Sequence, residues 1–152
     1  MTEEQKHLTA REVAEAIADS VATKEAPDVF AEDVVYIMPF ALPGAPSRIE
    51  GRAAVEAMFE AARSSAASKA LKIQEVVPTF YESRDPEVVV FETLIRGEST
   101  ATGKPFEFNS SIGVLTVRAG RLVQWRDYPN TITGALESGT LPQLITRLQQ
   151  LG

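Results

Sequence analysis

The residues best suited to chemistry lie in one short segment near the end of the chain, from Gly120 to Asn130, whose centre reads Trp-Arg-Asp-Tyr. Its β-branched and aromatic residues follow a turn signal and predict a strand. Because side chains alternate between the two faces of a strand, we expect Val123, Trp125 and Asp127 to share one face. If that face is internal, burial raises the pKa of the Asp127 carboxyl group toward neutrality, where it can act as a general acid and base. Asp127 is therefore the first catalytic candidate.

A purely structural role for Asp127 stays open at this point. Aspartates at strand ends commonly cap the following turn or pair with an exposed arginine, and Tyr128-Pro129-Asn130 reads as such a turn. Trp125 fits both readings, because the wall of a ligand pocket is also part of a hydrophobic core.

The composition restricts which chemistry is available. The chain has no cysteine and a single histidine, His7. These counts argue against a disulfide framework, a thiol nucleophile, a multi-histidine metal centre and a Ser-His-Asp arrangement. Acid and base work must then use carboxylates, tyrosines or lysines, and we expect neither a metal nor another cofactor.

Length and charge bound the class of protein. With 152 residues, of which 44% are hydrophobic and 24% charged, the sequence predicts one globular domain spanning 1–152. A net charge of −6 argues against a nucleic-acid partner, since neutralising phosphates requires a basic stripe. No apolar run reaches the roughly 20 residues of a membrane helix, so we predict no membrane partner and a cytoplasmic location.

Hydrophobic periodicity predicts helices at the start, strands in the middle and a helix at the end. Thr9 and Glu12 have the spacing of a capping box, and a second amphipathic helix after Gly51 carries Met58 and Phe59 on one face. Short turns join the later strands, which indicates antiparallel pairing. The predicted helices cover about 9–24, 52–65 and 141–151, and the predicted strands 34–38, 71–81, 88–98, 105–117 and 121–128.

These elements predict an α+β domain in which one curved, mostly antiparallel sheet wraps around the N-terminal helices. Such a sheet forms a cone, and the open end of a cone is suited to a small hydrophobic molecule held by a few polar groups. Because apolar residues are expected on both faces of the sheet, we also predict a homodimer.

The order of elements, the first strand ending at Pro39 and the segment Trp125-Arg126-Asp127-Tyr128 resemble the nuclear transport factor 2-like (NTF2-like) superfamily. The resemblance is to its SnoaL-like and limonene-epoxide hydrolase-like branch; the superfamily also includes SnoaL-like polyketide cyclases and ketosteroid isomerases. It implies a cone-shaped fold, a catalytic Asp127, Trp125 in the pocket wall and no cofactor.

Other positions depart from the motifs of these enzymes. Met38 stands where ketosteroid isomerases have an aspartate base, just before the proline. Counting back from Pro39 places Val35 and Ile37 at the two positions that hold water in limonene-epoxide hydrolases, so epoxide hydrolysis ranks lowest. The hydrolase acid on a middle strand is also missing, and its nearest substitutes are Glu92 and Arg96.

The sequence leaves the orientation of two pairs of polar residues undecided. Strict alternation sends Asn109 and Ser111 to solvent, whereas the resemblance turns them toward the cavity, and a bulge at Gly113 would shift the register. Glu92 and Arg96 share a strand face, either as a solvated pair or, if internal, as contacts to a ligand.

The sequence therefore predicts an enzyme of the cyclase, isomerase or epoxide-opening type in which Asp127 transfers protons on a hydrophobic, oxygen-bearing molecule. The alternative is a non-catalytic module of the same fold that binds a small ligand or serves dimerisation. The side chains predicted to bind the substrate are Trp125, Asn109, Ser111, Tyr36, Met38, Met58, Phe59, Glu92 and Arg96.

Overall fold

The computed structural model describes residues 6–152, so the first five residues of the predicted domain lie outside the described residues. Eleven helices and strands follow one another along the chain. The helices are α1 (Ala10–Thr23), α2 (Arg52–Arg63), α3 (Ala66–Ala70), α4 (Thr131–Ser138) and α5 (Leu141–Gln149). The strands are β1 (Phe30–Ile37), β2 (Arg48–Glu50), β3 (Leu71–Glu82), β4 (Val88–Ser99), β5 (Pro105–Arg118) and β6 (Arg121–Pro129).

Helix α1 begins with the capping box that the sequence predicted. The Glu12 backbone N–H donates to the Thr9 hydroxyl at 3.1 Å, and the Thr9 N–H donates to the Glu12 carboxylate at 2.8 Å. The helix ends at Lys24, whose backbone is left-handed (φ 59°) and whose N–H bonds the Ser20 carbonyl. Between these ends Val13 and Ile17 are fully buried, so α1 lies inside the curve of the sheet.

The six strands form one sheet in the order β2-β1-β6-β5-β4-β3. Strands β3 to β6 make the predicted antiparallel meander, whereas β1 pairs with β6 in parallel and β2 lies at the edge beside β1. The structure is thus an α+β fold with a mostly antiparallel sheet packed against helices, and the predicted fold class is confirmed. Elements β2, α3 and α4 were not predicted.

A bulge in β6 decides which of its residues face inward. Thr116 pairs with Gln124 but Val117 pairs with Leu122, so Val123 is an extra residue without an opposite partner. Leu122, Trp125 and Asp127 consequently share the buried inner face. The prediction was right for the last two residues and wrong for Val123.

A second bulge lies in β5 at Ser110, three residues before the predicted Gly113. Thr93 pairs with Ser111 and Leu94 pairs with Asn109, which leaves Ser110 as the extra residue. Phe106 and Phe108 therefore face the interior before the bulge, and Ser111 faces it afterwards. Neither predicted orientation held for the whole strand: Ser111 points inward and Asn109 is exposed.

None of the helices within residues 6–152 combines the length and the apolar character required to cross a bilayer.

The outer face of the sheet carries apolar side chains, with Val77 36% and Ile112 43% exposed. On this face Val77 pairs across the strands with the half-buried Leu94. Exposed apolar area of this kind favours association.

The homodimer stays a prediction that light scattering can test. We expect the wild type to have twice the mass of one chain and Ile112→Asp, which places a charge on the outer face, to have the mass of one chain. The control is Ile132→Asp on α4, at a position that is more exposed than Ile112 (60% against 43%) and is not part of the sheet. A wild type with the mass of a single chain at working concentration would contradict the prediction.

Candidate active site

Asp127 lies on the inner face of β6 with 8% of its surface exposed. Its nearest side-chain partner comes from β1, which runs parallel to β6 and places Tyr36 directly opposite Trp125. From there the Tyr36 hydroxyl donates a hydrogen bond to Oδ2 of Asp127. The parallel pairing of β1 and β6 thus builds a buried pair from Tyr36 and Asp127, which lie 91 positions apart in the chain.

The surroundings shift the pKa values of both groups. Burial raises the pKa of Asp127 to about 6, although the hydrogen bonds from the Tyr36 hydroxyl and the Tyr128 backbone N–H act in the opposite direction. Burial and the nearby charge of Asp127 hold the pKa of Tyr36 far above its usual range. Tyr36 therefore remains a proton-bearing donor, while Asp127 changes its charge close to neutral pH.

Two buried polar atoms beside this pair have no hydrogen-bond partner within residues 6–152: Oδ1 of Asp127 and Nε1 of Trp125. Gly113 pairs with Asp127 across the strands, and its missing Cβ would be 3.1 Å from Nε1 of Trp125. One atom accepts a hydrogen bond and the other donates one. A single substrate hydroxyl or enol oxygen could accept from the indole and donate to the carboxylate.

An aromatic cluster surrounds these atoms. The Trp125 ring stacks on Phe59 with centroids 5.1 Å apart, meets Tyr36 edge-on at 5.5 Å and lies 6.3 Å from Phe91. Gly113 is needed here, because a Cβ would lie 2.5 Å from a ring carbon of Phe91. The cluster gives Asp127 the low-dielectric environment that raises its pKa.

The main cavity opens between α1, α2 and the sheet and has a volume of about 230 Å³. Its walls combine aromatic and aliphatic side chains with hydroxyl groups and two cations. Asp127 is not a lining residue; it follows Trp125 by two positions on the same inner face. The lining residues are Ile17, Ser20, Val21, Lys24, Phe59, Ala62, Arg63, Ser68, Ile73, Phe91, Thr93, Ser111 and Trp125.

The structure brings together only some of the predicted binding residues. Trp125, Phe59 and Ser111 line the cavity, and Tyr36 bonds Asp127. Met38 and Met58 pack against the main core without lining the cavity. This separation follows from packing, because each half-buried methionine contacts the core instead of the open space.

Three predicted binding residues lie elsewhere. Asn109 is exposed beyond the β5 bulge, and its carbonyl accepts a hydrogen bond from the Asn130 side chain at 2.9 Å. Glu92 and Arg96 lie on the outer face of β4, as its alternating burial requires, and they do not pair with each other. Arg96 binds Glu75 and Glu107, and Glu92 accepts a bond from Tyr81, so the assignment of these residues to the pocket is wrong.

Counting back from Pro39 leads to two positions on β1 that do not face the cavity. Val35 and Ile37 lie on the outer side of the strand, while Tyr36 and Met38 face inward. The inner position that can reach Asp127 is therefore held by a tyrosine instead of an aliphatic residue.

The sequence analysis missed the cationic and hydroxyl residues of the cavity, above all Arg63, Lys24 and Thr93. Arg63 and Lys24 end their helices, where basic residues are ordinary and carry no signal of a site. Within residues 6–152, no three His, Cys, Asp or Glu side chains gather in a way that could hold a metal ion.

Comparisons with known proteins place this chain in a family. The model of the SnoaL-like domain matches residues 10–125. The uncharacterized protein YesE of Bacillus subtilis (strain 168) is 33% identical over 106 residues, which cover 69% of this chain and 68% of YesE.

Solved structures share the fold. A Bacillus subtilis protein named "Putative Isomerase" is 29% identical, with a TM-score of 0.60 over 84% of this chain and 85% of that one. TerC co-crystallized with polyporic acid has a TM-score of 0.62 at 16% identity over 86% of this chain and 98% of TerC, which shows a common fold alone. Together with the family match, these findings establish that the chain belongs to the SnoaL-like domain family of the NTF2-like superfamily.

Proposed function

We propose that this protein is an enzyme in which Asp127 acts as general acid and base on a hydrophobic, oxygen-bearing small molecule. The observation that carries the proposal is the buried Tyr36–Asp127 pair, in which Oδ2 is engaged and Oδ1 is left without a partner. A pKa of about 6 gives Asp127 access to both protonation states near neutral pH. The cavity beside it supplies the apolar walls for such a substrate.

The chemistry that suits one such carboxyl group is proton transfer next to a carbonyl. Oδ1 of the carboxylate takes a proton from carbon, the electron pair moves onto the carbonyl oxygen, and the Trp125 N–H donates to the resulting enolate oxygen. Returning the proton to another carbon isomerises the substrate. Alternatively, the enolate carbon attacks a second carbonyl and closes a ring, and the carboxylic acid protonates the new alkoxide.

Either reaction is balanced without a cofactor, because the proton that Asp127 removes is the proton it returns. A positioned acid or base contributes about 10²–10⁴-fold to the rate. The name of the 29% identical Bacillus subtilis structure agrees with an isomerase. Epoxide opening ranks below these two reactions, since Met38, beside Tyr36 on the inner side, cannot hold an attacking water.

A substrate in the cavity needs a route to Asp127. Trp125 and Phe59 line the cavity and stack on each other, whereas Asp127 lies outside the lining. A substrate reaches Oδ1 when the Trp125 ring shifts away from Gly113. The same indole thus gates the carboxylate and, once shifted, presents its N–H to the substrate oxygen.

A non-catalytic binding module is the second candidate, and the separation of Asp127 from the cavity lining favours it. The two functions differ in their response to Asp127→Asn. A binding module retains its ligand affinity and shows no turnover before or after the change, while the enzyme loses turnover.

An NMR titration of the Asp127 carboxyl group, assigned with Asp127→Asn, tests the site before any substrate is known. We expect a pKa of about 6 in the wild type. In Tyr36→Phe we expect a higher pKa, because the bond that stabilises the carboxylate is lost. Tyr128→Phe is the matched control, since it keeps the backbone N–H and should leave the titration unchanged. A wild-type pKa near the 3.9 of a free aspartate would contradict the proposed function.

A further inference from the structure

The charged side chains that line the main cavity are both cations. Arg63 closes α2, Lys24 caps α1, and no aspartate or glutamate among residues 6–152 belongs to the lining. This local excess runs against the net charge of −6 of the whole chain. A cavity of this sign favours an anion.

Several N–H groups of the Arg63 guanidinium are available to donate hydrogen bonds to a ligand. Its side chain is 25% exposed, and the one side chain that binds it within residues 6–152 is Glu60, at 2.9 Å from Nη2. Glu60 is 70% exposed, so this pair is a weak solvent-facing contact between neighbours on one helix. A guanidinium carries five N–H donors, and a planar carboxylate can take two of them at once.

Lys24, which caps the end of α1, lines the same cavity. Its left-handed backbone is one that residues other than glycine adopt only at an energetic cost. From there Nζ reaches the carbonyl oxygens of Ser68 and Leu71 at 3.4 and 3.5 Å, both at the long limit for hydrogen bonds. The ammonium group therefore lies between the end of α1 and the α3–β3 junction without a charged partner within residues 6–152.

Two glutamates of α2 lie near Arg63: Glu60 pairs with it, whereas Glu56 is engaged by another arginine. Glu56 lines a separate cavity of about 30 Å³, which shares Phe59, Arg63 and Trp125 with the main one. The Glu56 carboxylate is bound by Arg52 at 3.0 Å. Arg52 also binds Asp28 and Glu32, so Glu56 is one of three carboxylates around that guanidinium and does not line the main cavity.

Polar groups line the cavity on both sides. The helices contribute the two cations and the hydroxyls of Ser20 and Ser68. The sheet contributes the hydroxyls of Thr93 and Ser111, which pair across β4 and β5, and the unpartnered N–H of Trp125. Both cations therefore lie on the helix side. This arrangement suits a molecule with an acidic group at one end and a carbonyl or hydroxyl group at the other.

We infer that the substrate is a hydrophobic carboxylic acid whose carboxylate is held by Arg63 and Lys24 at the mouth of the cavity. The inference rests on the proposed function and names the substrate class of that site. The volume of about 230 Å³ equals that of roughly eight waters, which suits one ring with a short chain. The carboxylate anchors the molecule and directs its other oxygen toward Trp125 and Asp127.

Three probes of equal shape and different charge test this assignment: 4-phenylbutyrate, 4-phenylbutan-1-ol and 4-phenylbutylamine. Trp125 is the only tryptophan and lines the cavity, so its fluorescence reports binding directly. We expect the carboxylate to bind about tenfold or more tightly than the alcohol, and the amine to bind most weakly.

Substitutions assign the preference to the two cations. Arg63→Met should lower the affinity for 4-phenylbutyrate by about 10- to 100-fold and leave the alcohol within about twofold. Lys24→Met should act in the same direction and serves as an independent variant. Arg48→Met is the matched control, since Arg48 pairs with Glu50 on the edge strand β2 away from the cavity; it should bind as the wild type does.

Equal affinities for the three probes, no binding by any of them, or a preference that survives both substitutions would overturn the inference. Displacement of 4-phenylbutyrate by an equal concentration of inorganic phosphate would also overturn it, because the site would then be a phosphate site. The binding assay does not depend on Asp127. If the protein prefers the carboxylate probe but Asp127 has the pKa of a free aspartate, only the proposed function is refuted. If Asp127 has the raised pKa but the protein shows no preference for the carboxylate probe, only the substrate class is refuted.

Discussion

Replacing Asp127 by asparagine should stabilise the protein at pH 8 and lower its catalytic rate by about 10²–10⁴-fold. The rate falls because an amide neither takes nor returns a proton at this pH. The stability rises because the amide is neutral, whereas the wild type must bury a charged carboxylate that is 8% exposed. One substitution thus moves activity and stability in opposite directions, as expected where a functional group is held in an unfavourable environment.

The sign of the pH dependence follows from the direction of the pKa shift. The pKa of Asp127 is raised from 3.8 to about 6 in the folded protein, so the folded state binds this proton more tightly than the unfolded state does. The stabilisation is fully present below pH 3.8 and is lost as the pH rises through about 6. The difference between these two values corresponds to about 3 kcal/mol of unfolding free energy.

Urea unfolding of wild type and Asp127→Asn between pH 4 and pH 8 measures this effect. We expect the wild type to lose stability between pH 4 and pH 8 through Asp127 and the variant to lack this loss. At pH 8 the variant should be more stable by about 1–3 kcal/mol, since the Tyr36 hydroxyl can still donate to the amide oxygen. Asp33→Asn is the control, because Asp33 is exposed on β1. If the free energy of unfolding changed with pH in the same way in the wild type and in Asp127→Asn, ionising Asp127 would cost the folded protein little. Its pKa would then not be raised.

Local signals in the sequence were sufficient for much of the fold. The Thr9–Glu12 capping box fixes the start of α1 through two hydrogen bonds between close neighbours. The meander follows from short turns, which leave neighbouring strands little choice but to pair. That Trp125 and Asp127 share one face of β6 was predicted, because only their own strand was needed to relate them.

The rest of the site depends on bulges, on pairing between distant strands and on where a helix ends, none of which follows from the alternation of side chains within one strand. The bulges at Ser110 and Val123 each add one residue, which reverses the faces on one side of the bulge and separates Ser111 from Asn109. The Tyr36–Asp127 bond needs the parallel register of β1 on β6. Arg63 reaches the cavity only because its helix ends there, which no pattern within that helix shows.

Gly97→Ala should be the most destabilising single-methyl substitution in the sheet, with a loss of about 3 kcal/mol or more. Gly97 lies on the inner face of β4 opposite Ile73, next to a register shift in β3. A Cβ on Gly97 would overlap the backbone carbonyl oxygen of Lys72 and would lie 2.9 Å from Cζ of Phe106. A carbonyl inside a strand cannot move aside cheaply, because its displacement breaks the pairing between β3 and β4.

The same substitution at Gly134 provides the control and should have the opposite sign. Gly134 lies inside α4, where nothing stands within 4 Å of an added Cβ, so alanine should stabilise the helix by about 0.5–1 kcal/mol. Chemical denaturation of both variants separates a steric clash from a general effect of replacing glycine. A loss below about 1 kcal/mol for Gly97→Ala would mean that β3 can shift away from β4. Ile73 of β3 and Thr93 of β4 would then form a movable wall of the cavity, and ligand affinity in that variant should change together with stability.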